Sequence, residues 1–203
     1  MFKLFDQEGG FWTLVNFIGD IFLLSLCWLV CSLPIVTAGA ATTALYDATV
    51  HSFRFKEGGT FARFFRTFKN EFRLATLSWL MWLVIWATCF YMLSFAAGID
   101  SMYLTVGLVI MLLPTGISCW VFPILSRFTY DFSSLNKTAL AFAGTHIIAT
   151  LIIALSTLVA VYLCAWLWLP ALFLPALLML FWSLFMEKTF IKYMKSDDDK
   201  TVE

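Results

Sequence analysis

The chain has 203 residues, of which 62% are hydrophobic, 18% aromatic and 13% charged. Soluble domains are about 45–50% apolar and about 25% charged, so this composition excludes an ordinary soluble domain and indicates an integral membrane protein. Thirteen basic residues balance thirteen acidic ones, so no global positive charge points to nucleic acid, and none is expected as a partner.

A bilayer core of ~30 Å takes roughly 20 apolar residues of helix. Five runs qualify, at 14–36, 74–97, 102–125, 139–163 and 166–186, and none shows strand alternation. The expected fold is therefore all-α: a polytopic transmembrane helix bundle of about five spans, forming one domain over 1–190 with a polar tail at 191–203. The first run resembles a leader, with Ala38-Gly39-Ala40 as an apparent cleavage site. It exceeds the usual apolar length of about 7–15 residues, and Asp6 and Glu8 accompany Lys3 ahead of it, so it is kept as a span.

On that span, Asn16 and Asp20 are four residues apart and share a helix face near one end. They are read either as snorkelling groups or as solute contacts. Pro34 ends or bends the span. Ala38 to Ala44 are then all Ala, Gly or Thr. Gly39 and Thr43, and Ala40 and Ala44, form small-xxx-small pairs that let helix backbones approach closely. The stretch 37–53 is expected to be a short helix pressed against its neighbours, re-entrant or interfacial, with Asp47 placed to pair with an arginine of the following link.

Gly58-Gly59 breaks the chain, and Thr60 is a candidate N-cap. Phe61, Phe64, Phe65, Phe68 and Phe72 recur at helical spacing, with Arg63, Arg66 and Lys69 on the other side. The expectation is a separate amphipathic interfacial helix over 60–73, serving as an elbow into the second span or as a docking surface for lipid or a partner protein. In the third span, Pro114, Gly116 and Pro123 are expected to interrupt the helix, as in broken helices that line transporter cavities. Asp131 and Asn136 are candidate caps for the fourth span, which carries His146 with Thr145 and Thr150 near its start. The tail is expected to be disordered, with Asp197 to Asp199 a solvated run. The five cysteines, Cys27, Cys31, Cys89, Cys119 and Cys164, all sit in apolar runs and read as packing residues.

Twelve of the thirteen basic residues fall in the link at 54–73, in the link at 127–137 and after 187. The positive-inside rule then gives an outside N-terminus and a cytoplasmic C-terminus, with Trp12, Trp166 and Trp168 in the outer aromatic belt.

The stretches LPIVTAGAATTALYDATV, FARFFRTFKNEF and WVFPILSRF resemble the YesL family of small bacterial membrane proteins. The likeness falls on Pro34, Thr37, Gly39, Ala40, Ala44, Leu45 and Tyr46, then Phe61, Phe65, Phe68 and Phe72, and later Pro123 and Phe128. Ser25 stands where family members often have Asn. The resemblance implies a protein of the bacterial plasma membrane with no established catalytic activity; no cofactor and no metal are expected. It also implies an accessory role beside carbohydrate ABC importers, with the importer's permease subunits as partner. No catalytic motif or paired mid-span carboxylate is present to suggest an enzyme. The alternative is a small-solute transporter or channel in its own right, with Asn16, Asp20, Pro114, Pro123 and His146 as solute contacts.

Overall fold

The structure is a computed structural model that describes residues 10–56, 58–97, 101–167 and 169–201. It is all-helical, with no strand among the described residues. Seven α-helices follow one another: α1 (Gly10–Ser32), α2 (Ala38–Phe53), α3 (Thr60–Ala97), α4 (Ser101–Arg127), α5 (Phe132–Thr145), α6 (Ile147–Trp166) and α7 (Leu174–Thr201). Short 3-10 turns lie at Ile35–Thr37 and Leu169–Leu172. Five of these helices, α1, α3, α4, α6 and α7, are long and apolar enough to cross a membrane, so the chain is a multi-pass membrane protein.

The small-residue segment is the centre of the bundle. From Ala38 to Val50 every residue of α2 except Thr42 is buried, and α2 packs against α1, α3, α4 and α7. Gly39 explains how the backbones come so close. A Cβ there would lie 2.5 Å from the Trp79 Cβ and 2.7 Å from the Ala75 carbonyl oxygen. The preceding turn exposes Leu33, Ile35 and Val36, and its carbonyls are nevertheless satisfied. The Thr37 hydroxyl donates to the Cys31 and Pro34 oxygens at 2.6 and 2.8 Å, and the Trp79 indole donates to the Ile35 oxygen at 2.7 Å. Irregular backbone among apolar, exposed side chains persists in lipid only with such internal partners.

The helices α1 and α2 run antiparallel. The Trp28 indole reaches the Thr42 hydroxyl at 3.2 Å, and eleven residues further along each helix the Phe17 and Phe53 rings meet at 4.8 Å. The N-terminal part of α1 therefore lies beside the basic link that follows Phe53. The chain thus runs along α1 and doubles back along α2.

Further expectations change. The segment 60–73 is not a separate helix, because no Gly or Pro stands between Thr60 and Ala97, and α3 continues through both segments for 38 residues. That is about 57 Å at ~1.5 Å per residue, well beyond the ~30 Å core. Thr60 does not cap it. Its hydroxyl bonds to Ser52 Oγ at 3.0 Å, while Gly59 before it takes φ +81, a conformation open to glycine. The fourth span is divided at His146 (φ −119, ψ 51) into α5 and α6. Gly144 is an exposed weak helix former, and two threonines collect carbonyls around the break: Thr145 bonds to the Ala141 and Phe142 oxygens, Thr150 to those of Ala143 and His146. Asp131 is the N-cap of α5 without a side-chain capping bond, and Asn136 bonds to the Phe132 oxygen and to the Trp82 indole instead. The last span begins at Leu174 rather than 166, and α7 continues to Thr201, so the tail is helical where disorder was expected. Lys3, Asp6, Glu8 and Trp168, and the side chains of Trp12 and Asp197 to Asp199, lie outside the described residues.

The prolines do not interrupt α4, which runs unbroken through Pro114 and Pro123. Gly116 serves close packing: a Cβ there would meet Thr150 Cγ2 at 2.5 Å. Ser25 is fully buried and accepts the Ala176 backbone N–H at 3.2 Å, closing an orphan donor in the first turn of α7 from another helix. The five cysteines are free thiols.

Candidate functional site

Polar residues of α2, α3, α4 and α7 converge at the basic end of the bundle. Asp47, buried on α2, accepts the Thr67 hydroxyl at 2.7 Å and pairs with the Arg63 guanidinium at 3.7 Å. One turn on, His51 Nε2 lies 3.4 Å from Asp47 and 2.8 Å from Arg127 Nη1. The imidazole nitrogen thus stands between the Asp47 carboxylate and the Arg127 guanidinium. Arg127, at the end of α4, also donates through Nε and Nη2 to Glu187 Oε1, at 3.1 and 3.0 Å. Glu187, on α7, is 2% exposed, and the Tyr46 hydroxyl donates to the same oxygen at 3.1 Å. Burial first, and then the Glu187 carboxylate, push the Tyr46 hydroxyl well above its ordinary range, which keeps it a donor.

The result is a ladder of alternating groups, Arg63, Asp47, His51, Arg127, Glu187 and Tyr46, in which two carboxylates answer two guanidiniums. The Arg127 guanidinium also lies 5.3 Å from the centre of the Phe55 ring, and Arg54 donates to the Ser183 carbonyl. Buried charges persist when paired and hydrogen-bonded in this way. Chemically the ladder is a clamp: its oxygens and guanidiniums are turned on one another and tie four helices together. No group of three or more metal-ligating side chains occurs among the described residues.

The aromatic stripe of α3 is split by this packing. Phe64 is fully buried, and Phe68 is half-buried against the core. Phe64 therefore faces the protein's own interior and is not available to a partner. Phe61 is half-buried, whereas Phe65 and Phe72 are 53% and 39% exposed. Arg66, Lys69 and Arg73 are exposed beside them, giving an outward face of two rings, Phe65 the more exposed, among three cations. Among the packing candidates, Gly39, Ala40, Thr43 and Ala44 are buried and Pro34 is exposed at the turn. The solute candidates do not converge. Asn16 is exposed, Asp20 and Pro114 are half-buried, and Pro123 is buried in α4. His146 is exposed, with Nδ1 2.9 Å from the Thr145 hydroxyl rather than on a neighbouring helix.

A cavity of about 360 Å³ does exist, bounded by Trp28, Thr42, Trp79, Cys119, Thr157 and Trp182 among others, and none of those five residues lines it. Sequence reasoning had found Asp47 but missed Tyr46, His51, Arg127 and Glu187 as its company. One signal was present: Glu187 ends an otherwise apolar run, and an acidic group at such a place needs a partner.

Residues 21–93 match the family described as Protein of unknown function, DUF624. The matched segment covers the second half of α1, all of α2 and nearly all of α3, and so contains the small-residue helix, Asp47, His51 and Arg63. It stops short of Arg127 and Glu187. No curated protein and no solved structure matches the chain.

Proposed function

We propose that the chain is a YesL-family accessory protein of the bacterial plasma membrane, without enzymatic activity, that binds a membrane-protein partner. The observation that carries this reading is the outward face of α3, where Phe65 stands 53% exposed among Arg66, Lys69 and Arg73. An exposed aromatic ringed by basic groups suits acidic and aromatic groups of another protein. The face is held rigid, because Arg63 and Thr67 of the same turns are fastened to Asp47. The sugar-importer permease as partner comes from the YesL resemblance, with which the DUF624 match over 21–93 agrees.

Replacing Phe65 by alanine together with Arg66 and Lys69 is expected to reduce recovery of a permease subunit at least tenfold in pull-downs from native membranes. Phe64→Ala is expected to lower yield of the folded protein instead. Unchanged recovery with the triple variant would sink the docking face. The buried ladder favours a second reading, since paired ionisable groups in membrane proteins often lie on ion or solute pathways. Sugar uptake by the purified protein alone in liposomes would promote that carrier.

We further propose an inside N-terminus, since Phe17 meets Phe53, which lies just before the basic link. With the basic links inside, the N-terminal part of α1 belongs to the cytoplasmic side, together with the C-terminus. A membrane-impermeant thiol reagent on intact cells is expected to label a cysteine introduced at Ser101 and to spare ones at Gly10 and Ser133. Labelling at Gly10 would restore the outside N-terminus that charge counting alone gave.

A further inference from the structure

We propose that the cavity between α1, α3, α4, α6 and α7 holds one acyl chain of a membrane phospholipid, which enters between α6 and α7. At about 360 Å³ it is more than twice the ~150 Å³ of an apolar cavity that takes up benzene. Its walls are apolar because, Trp86 apart, their polar groups are turned into the protein. Trp28 donates to Thr42, which donates in turn to the Ala38 oxygen. Trp79 donates to the Ile35 oxygen, Ser118 to the Thr115 oxygen, and Thr157 to the Ile153 oxygen while also meeting Cys119 Sγ at 3.4 Å. Trp182 donates to Ser156 at 3.2 Å. The Trp86 N–H is buried without an acceptor among the described residues. A sugar or hydrated ion entering such a space would leave its own hydrogen bonds unmet; a hydrocarbon chain would not.

The way in is on the surface. A second apolar groove runs between α6 and α7, bounded by Leu155, Val159, Leu177 and Phe181, and it shares Ala160, Leu174 and Leu178 with the cavity wall. Those four side chains are exposed on helices of membrane-spanning length, by 38% to 59%. Acyl chains therefore bathe the groove, and the small side chain of Ala160, with Leu174 and Leu178, stands between the groove and the cavity. The adjacency of a lipid-bathed groove and an apolar cavity favours an elongated, flexible, apolar occupant that already surrounds the protein, in preference to a soluble ligand or a folded partner.

The test reconstitutes the protein in vesicles of a phospholipid carrying a mid-chain diazirine. After irradiation, adducts are mapped by mass spectrometry. Surface lipid explains adducts on Leu155 or Phe181. It cannot reach Cys119 and Trp182, which are 5% and 3% exposed, so adducts on those two mark a chain inside. Ala160→Phe, which narrows the junction, is expected to cut the interior adducts at least tenfold and leave the Leu155 adduct unchanged. Cys164→Phe, on another part of the wall, provides the same comparison should the first variant fail to fold, with helical circular dichroism as the check. Adducts confined to Leu155, Val159 and Phe181 in the parent protein overturn the proposal. So do interior adducts that both folded variants leave intact.

Discussion

Replacing Glu187 by alanine is expected to destabilise the protein by about 3–5 kcal/mol, because it leaves a buried guanidinium without its counter-charge. The side chain is 2% exposed, and a single carboxylate oxygen receives two nitrogens of Arg127 and the Tyr46 hydroxyl. Thermal unfolding in mild detergent, followed by circular dichroism, reads the loss. Glu187→Gln keeps an acceptor in place and is expected to cost less than the alanine. The decisive comparison is the double variant Glu187→Met with Arg127→Met. Removing both charges together should recover much of what either single change loses, since an uncompensated buried charge is worse than none. Single-variant costs that simply add would show that the pair is not coupled and that the clamp description is wrong.

The second large effect is at Gly39. Gly39→Leu is expected to cost about 3 kcal/mol or more, at the upper end of overpacking penalties. Even the first added carbon would collide with the Trp79 Cβ at 2.5 Å and the Ala75 carbonyl at 2.7 Å, neither of which is the far end of a flexible side chain. Gly19 is the internal control. It is also helical, but a Cβ there meets nothing within 4 Å, so Gly19→Ala should be neutral or raise stability by up to about 1 kcal/mol through helix propensity. Equal melting temperatures for the parent and Gly39→Leu would mean that α2 and α3 are not in contact as described.

Much of the architecture was legible because hydrophobic runs of spanning length are written locally. The third run, 102–125, falls within α4 almost end to end, and the role of the Ala-Gly-Thr stretch followed from side-chain size alone. What escaped was what depends on distant partners. The break at His146 lies inside an apolar run, and what sustains it is Thr150 and, across the bundle, Trp120, whose indole holds the Thr150 hydroxyl at 2.9 Å. The stripe on α3 was visible as a period, but which of its rings turn inward is decided by α2, so Phe64 and Phe65 have opposite surroundings. The ladder was the least legible of all. Tyr46 and Glu187 are 141 residues apart, and nothing in the local sequence of either names the other.

The bond between Ser25 and the Ala176 backbone sets an order of events during synthesis. Its partners are separated by 151 residues, so the first helix enters the membrane long before the residue it will cap has been translated. Until then the buried Ser25 hydroxyl has no Ala176 to serve, and the groove that receives the start of α7 stands open to lipid. A nascent chain stalled before α7 therefore presents an unfinished seam along α1.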